Sequence, residues 1–462
     1  MRKNIYKTMK TAGFAFVLLI LASCDGLWID TDLNVDPDAP AEVPMKLMLP
    51  AIQQSVGYNM GGNDIVRTTN IWMQQFDGVD RQSFTESRYQ LLPADVNNLW
   101  NSFYTEIFMN GLVMIDKAEN TEGKYSPHNA GVAKVLVATT LGITTDVFGD
   151  MPFSEAFKGN ESVLEPTFDS QETLYSTLNS YLDGAISDFG SSDNAVDVEG
   201  DVIYGGDVDM WKKAAYSIKA RHALQLTAKN GNSAYEAALS AAANGFTSLG
   251  DDYQVPFETN NKNPIFQFME QRTDIRMGAT LVDMMKAIED PRIPFYVAED
   301  GDGEYTGSVI GSENSNASHP GDYVAGATAP VVIMSYAELK FIEAEAHFAL
   351  GHSDEAAEAF EAAVEASVTK VTGSFDQTWF DDNLGSETLT MELIMEQKYI
   401  ASFGTNQAYA DYRRTGLPAL QLHPDALIQT IPNRFPYAQD EITYNGSNVP
   451  SVTISDKLWW DN

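Results

Sequence analysis

The chain has 462 residues, with 65 Asp and Glu against 29 Lys and Arg, a formal charge of −36. Such a surface repels phosphate backbones and anionic headgroups, so it excludes nucleic acid as a partner and a basic patch as the means of holding a membrane. The hydrophobic fraction of 44% and 23 Phe, 20 Tyr and 7 Trp are enough to fill a large core, which excludes disorder by composition.

Arg2, Lys3, Lys7 and Lys10 precede an apolar run over 12–22 that ends at Leu21-Ala22-Ser23-Cys24. The run is about half of the ~20 residues needed to cross hydrocarbon, so 1–23 reads as a secretory signal. Leu-Ala-Ser-Cys has the form of a lipobox, and Cys24 is the only cysteine in the chain. The reading is therefore that Cys24 is acylated and holds the protein to outer-membrane lipid, where several acyl chains together give stable anchoring. Cleavage would remove four basic and no acidic residues, taking the charge from −36 to −40. No thiol is then left for a disulfide, zinc or nucleophilic chemistry.

Residues 24–50 are acidic and carry Pro37, Pro40, Pro44 and Pro50, and read as a tether. From 51 to 462 helical patterns dominate, over 51–60, 65–76, 96–118, 129–146, 170–189, 209–229, 233–243, 280–289, 335–351, 353–371 and 386–403. Leu174, Leu178, Tyr181, Leu182 and Ala185 show the helical apolar spacing, and Asp209, Ser335 and Ser353 read as caps. Ala344, Gly351, Ala356, Phe360 and Ala363 have the spacing of a tetratricopeptide helix pair, and Trp211, Ala214 and Ala215 start a partial second copy. The fold class is mainly α. Between about 245 and 330, and again over 418–462, the texture is irregular, and loops of that length are usually functional.

Several strings invite a chemical reading and are better read as structure. Gly149, Asp150, Pro152 and Gly205-Gly206-Asp207 describe turns at helix entries. Asp290-Pro-Arg292 and Arg413-Arg414 read as buried Arg–carboxylate pairs. Glu299-Asp-Gly-Asp-Gly-Glu304 alternates oxygen ligands but lacks a complete calcium loop, and reads as a solvated turn. The six histidines form no His-Glu-x-x-His, and neither a Gly-x-Ser-x-Gly nor a phosphate loop occurs, so no catalytic residue, metal or cofactor is assigned.

A series of strings spread along the chain in order resembles the SusD/RagB family of outer-membrane nutrient-binding lipoproteins, and within it the SusD-like 2 subgroup. They include Asp32-Leu-Asn-Val-Asp-Pro37, Trp100 with Tyr104, Asp146-Val-Phe-Gly-Asp-Met-Pro-Phe-Ser-Glu-Ala156, Phe168-Asp-Ser-Gln171 with Tyr175, and Asp201-Val-Ile-Tyr-Gly-Gly-Asp207. Further along come Trp211 to Arg221, Asp290-Pro-Arg292, Ser335-Tyr-Ala-Glu338 with Ala344-Glu-Ala346, Arg413-Arg-Thr-Gly416, Ile431-Pro-Asn-Arg434 and Trp459-Trp460. The resemblance implies a helical fold with tetratricopeptide-like pairs, lipid-anchored and exposed at the cell surface. It also implies a SusC-like TonB-dependent β-barrel as partner, over which the protein closes as a lid on a captured oligosaccharide or peptide. The alternative is a tetratricopeptide-type interaction scaffold of the transport complex that binds no ligand itself.

Aromatic faces that stack on a sugar or an apolar side chain, flanked by amides for the polar rim, are the expected means of capture. The candidates are Asn70, Trp72, Gln75, Phe76 and Tyr89 in an early segment, and Tyr253, Phe257, Tyr305 and Tyr323 in the long loops. Trp100, Trp211, Trp459 and Trp460 are assigned to packing.

Overall fold

A computed structural model describes residues 43–461; Cys24, the signal segment and most of the tether lie outside them. Helices of six or more residues are numbered in chain order. The first, α1 (Met45–Ser55), begins inside the predicted tether and contains Pro50. Pro50 is the sixth residue of the helix, so it forgoes the one amide bond to the Lys46 carbonyl in the second turn. Met48, Leu49 and Ile52 bury its inner face.

The predicted helix over 65–76 is instead a π segment (Asn63–Arg67), a single α turn (Thr68–Trp72) and a short strand, β1 (Phe76–Gly78). After it come α2 (Arg81–Ser87) and α3 (Asn97–Ser102), which runs through the π segment Phe103–Phe108 into α4 (Met109–Asn120).

α5 (Pro127–Phe148) is the central helix. Among the described residues it alone is long and apolar enough to cross a membrane, but its side chains are buried on every face by protein. Helices packed against it explain the burial: α4, α6 (Gln171–Phe189) and α7 (Val208–Gln225). Small residues allow the approach. A Cβ on Gly131 would stand 2.6 Å from the Phe189 ring, and one on Gly142 would stand 2.3 Å from the His222 ring.

α8 (Asn232–Ala242) returns along α7. β2 (Tyr253–Val255), α9 (Pro264–Gln271), β3 (Ile275–Met277) and α10 (Ala279–Ala287) then lie within the stretch that reads as irregular. β4 (Val331–Met334) leads into α11 (Tyr336–Leu350) and α12 (Ser353–Thr372). The tetratricopeptide spacing is realised in that pair: Ala344, Ala356 and Ala363 are fully buried, and the Phe360 ring lies 6.4 Å from that of Phe341 in a core cluster of their own. α13 (Met391–Ala401), α14 (Gln407–Thr415) and α15 (Gln439–Tyr444) complete the chain.

Two predicted caps are displaced. Asp207, not Asp209, caps α7, accepting from the Asp209 and Met210 amides, because it alone precedes the first helical turn. His352, with no side-chain cap, precedes α12 where Ser353 was expected, while Ser335 caps α11 as read, its Oγ 3.1 Å from the Glu338 amide. The helix expected from 386 starts at Met391, where Thr390 supplies the cap.

Buried ion pairs tie the layers. Arg292 holds Asp290 through two bonds of 2.9 and 2.6 Å and adds Ser367. Arg414 pairs with Glu345 and Asp411, which also share Lys398. Arg413 departs from the expected ion pair: its guanidinium donates to the Asp146 and Asn433 carbonyls and stacks 3.9 Å from the Tyr409 ring centroid. Asp201 gathers the helix entry before α7, accepting from Gln53, the Ile203 and Gly206 amides and the Trp211 indole.

Candidate functional site

The early segment and the stretch after 245 meet through β1 and β3, antiparallel in the register Phe76↔Met277, Asp77↔Arg276, Gly78↔Ile275. This staple sets the N-terminal π segments beside α9. π turns are rare and concentrate at functional sites, since the wide turn re-aims side chains. α9 starts where Asn263 Oδ1 accepts from the Ile265 and Phe266 amides, with Pro264 in the first helical position. Gly62 permits the close approach: a Cβ there would fall 1.8 Å from the Tyr58 carbonyl and 2.9 Å from Pro264.

Between these elements lies a cleft of about 400 Å³. Tyr58, Asn63 and Asp64 come from the π segments Val56–Met60 and Asn63–Arg67, Gln82 from α2, Asp95 and Asn98 from the entry of α3, and Gln267, Phe268, Gln271 and Arg272 from α9 and its end. The volume falls in the range of small-molecule sites. Tyr58 is 43% exposed, and Phe268 is half-buried.

The floor is rigid. Arg67 pairs with Glu86 in full burial, its Nε donates to Asn63 Oδ1 at 2.9 Å, and its guanidinium lies 4.8 Å from the Phe268 centroid. Burial pushes the Glu86 carboxyl up, opposed by Arg67 and by the Gln82 amide 3.0 Å away. Gln82 thus donates to Glu86 and accepts a long contact of 3.4 Å from Arg272, while among the described residues the Asn98 and Gln271 side chains have no hydrogen-bond partner. An aromatic face surrounded by amides and carboxylates, with one guanidinium at the edge, suits a neutral polyhydroxylated ligand: apolar ring faces stack and hydroxyls bond to the rim. Among the described residues no group of three His, Cys, Asp or Glu is placed to hold a metal ion.

The nine side chains expected to face a ligand lie elsewhere. Asn70 is fully buried, its amide donating to the Thr405 carbonyl at 2.7 Å and its Oδ1 accepting from the Gly404 amide at 3.0 Å. Gln75 donates to the Tyr399 carbonyl, and the Trp72 indole N–H donates to that of Glu86. Phe76 packs on Phe403, and the Tyr89 hydroxyl accepts from the His423 amide. Tyr253 packs edge-on to Trp211, and Phe257 is buried. All seven are buried in the core: the Asn70, Trp72, Gln75 and Tyr89 polar groups bond across the fold, the Tyr253 hydroxyl has no partner among the described residues, and the rings fill volume. Tyr305 and Tyr323 are half-buried and pack on the main core, Tyr323 with its ring 4.9 Å from that of Tyr296. None of the nine lines the cleft, although the segments that carry them meet beside it. Asn263-Pro264, a cap followed by proline, was the available signal for α9 and so for Phe268.

Other strings settle as structure. Asp300 Oδ1 accepts from the Asp302 and Glu304 amides, closing the acidic turn on itself and holding the Asp300 carboxyl below its usual value. Trp100, Trp211 and Trp460 are buried.

A stacked helical scaffold carrying an amide-rimmed cleft on short, irregular elements is the build of a ligand-binding protein. The family model described as "Starch-binding associating with outer membrane" matches residues 37–438, and the chain belongs to this SusD-like 2 family. Among solved structures, it is similar to a SusD/RagB family protein from Bacteroides thetaiotaomicron, with TM-score 0.77 and 24% identity over 91% of this chain and 99% of that one. A chitin-binding SusD homologue from Flavobacterium johnsoniae gives 0.76 and 22% over 90% and 98%, and a SusD homologue from Bacteroides fragilis gives 0.75 and 19% over 91% and 100%. At these identities the likeness is one of fold. Comparison with curated protein sequences finds no match.

Proposed function

We propose that this protein captures a neutral oligosaccharide in the cleft between the N-terminal π segments and α9, and delivers it to an outer-membrane transporter. The observation that carries the reading is Phe268 on the cleft lining, with the guanidinium groups of Arg67 and Arg272 4.8 and 5.9 Å from its ring centroid, on a rim shared with Asn98 and Gln271, whose side-chain amides have no partner among the described residues. The family description names starch, and one structural relative is named as chitin-binding, which supports a glycan over a peptide. On this reading Cys24 carries the lipid, the acidic segment after it is the pivot, and a SusC-like TonB-dependent barrel is the partner over which the protein closes. The acidity of the whole chain fits a solvated outer surface and a ligand without negative charge. The reaction is binding and release, with no bond made or broken.

The test is a panel of α-glucan and chitin oligosaccharides, with neutral peptides as the contrast, titrated into purified protein by calorimetry. Saturable binding of a glycan, weakened by Phe268→Ala, supports the reading. Binding of peptides alone would replace the ligand class, and binding of neither, with the transporter still co-purifying, would leave the interaction scaffold.

A further inference from the structure

A second cleft, of about 440 Å³, opens further along the segment that carries α3. Asn98 of that helix faces the first cleft and Asn101 faces the second. Its walls are apolar: Tyr104, Met109, Phe157 and Tyr444 line it, with Trp100 buried behind them. Met109 is 43% exposed and Tyr444 77% exposed. Leu164, two residues from the lining Pro166, is 80% exposed, and Val113, one turn beyond Met109 on α4, is 38% exposed, so apolar surface continues past the cleft itself. Scattered apolar residues at a surface need no explanation, but a cavity whose apolar lining runs on into exposed Leu, Val and Tyr marks an interaction site.

The charge around it has one sign. Asp440 and Glu441 stand on the lining, and among the lining residues there is no lysine or arginine. Asp440 Oδ2 has only a long contact, 3.4 Å, from the Asn101 amide, and Glu441 is bonded through Oε1 to Asn445, leaving the other oxygen of each carboxylate for an incoming donor. Such a site disfavours an acidic occupant, the chain's own acidic N-terminal segment included. A sugar ring would find few rim amides there, in contrast to the first cleft.

We propose that this groove is a docking site for a partner protein, and that it takes an exposed loop carrying a large apolar side chain next to a lysine or arginine. The apolar side chain enters between Tyr104, Phe157 and Tyr444, and the basic neighbour reaches Asp440 and Glu441. Apolar anchors in pockets with charged rims are the usual division between affinity and specificity at protein interfaces. The groove also bears on the first cleft. Glu106 in the π segment that carries Tyr104 accepts from Ser55 Oγ at 2.8 Å and from the Asn59 amide at 3.1 Å, next to Tyr58 of the polar cleft. An occupant of the groove therefore presses on a segment bonded to the ligand cleft's wall.

The experiment titrates fluorescein-labelled Gly-Lys-Phe-Leu-Lys-Gly, and the same peptide with Glu for Lys, into the purified protein and follows anisotropy. The lysine peptide is expected to bind at least tenfold more tightly, to weaken as salt rises from 50 to 500 mM, and to lose fivefold or more in Tyr444→Ala and in Asp440→Asn/Glu441→Gln. Tyr444 is exposed, so its variant folds, which circular dichroism and an unchanged melting temperature check. Equal binding of the two peptides, no effect of Tyr444→Ala, or binding of a neutral oligosaccharide that Tyr444→Ala abolishes would each overturn the proposal. Oligosaccharide binding lost only in Phe268→Ala bears on the first cleft and leaves this outcome separate.

Discussion

Arg67 and Glu86 form a two-pronged ion pair with both side chains 2% exposed, Nη2 lying 2.9 Å from Oε1 and Nη1 on Oε2. The pair joins the second π segment to α2, and the same guanidinium lies 4.8 Å from the Phe268 ring centroid. One contact thus serves the core and the cleft together.

Removing one partner leaves the other charged in a dry site, which costs about 3–5 kcal/mol. Arg67→Ala is expected to lower the unfolding free energy in urea by that amount, whereas Arg67→Met with Glu86→Leu loses much less, because no lone charge remains. If the single and double variants are equally destabilised, the loss comes from packing and the ion pair is not its cause.

Asp77, in β1, is buried and bonded to Ser308 Oγ, and burial raises its carboxyl from 3.8 to about 6. The folded value lies above the unfolded one, so between about pH 4 and 6 the folded protein keeps a proton that the unfolded chain has released. Stability from this group is therefore present below pH 4 and lost as pH rises through 6, by at most about 3 kcal/mol. The expected result is that Asp77→Asn gains on the parent protein between pH 4.5 and 7.5 by up to that amount. Comparing the two proteins at each pH cancels the many other carboxylates, and a difference that does not move with pH would show that Asp77 is ionised throughout.

Gly142 in α5 faces His222 in α7, with room for no side chain: a Cβ would lie 2.3 Å from Cε1 and 2.5 Å from Nε2. Gly142→Ala is expected to destabilise by about 1–3 kcal/mol through overpacking. His222→Ala in the same chain should recover part of the loss, as read by thermal melting. A Gly142→Ala protein as stable as the parent would mean that the helices part freely at this point.

The sequence made the scaffold legible where small residues and charges have one sensible use. Ala344, Gly351, Ala356, Phe360 and Ala363 gave the α11–α12 pair, and Asp290 with Arg292 gave a buried ion pair that the structure contains. The proposed ligand face was not legible, because Asn, Gln and Trp look alike whether they hold a sugar or a backbone. The Asn70 amide is spent on Gly404 and Thr405, more than 330 residues away, and only the closed fold reveals that. Phe268 was hidden for the opposite reason: α9 sits within Gly-, Asn- and Pro-rich sequence, where the Asn263 cap and Pro264 read as loop. The π segments at 56–60 and 63–67 fall wholly or partly in stretches that read as ordinary helix, 51–60 and 65–76, because a 3.6-residue period does not register the wider turn that brings Tyr58 and Asn63 to the cleft.

The central claim is that the cleft over Arg67 and Phe268 holds the ligand, and the affinity of Phe268→Ala for the best oligosaccharide of the panel tests it most directly. A stacking aromatic contributes about 0.5–1.5 kcal/mol beyond the area it buries, so the dissociation constant should rise at least ~2- to 13-fold, and further when Asn98→Ala removes a rim amide. Calorimetry on the parent and both variants, with melting curves to show that the fold is kept, gives the answer. Affinity unchanged in both variants, in protein that still binds the oligosaccharide, would place the ligand elsewhere and contradict the account.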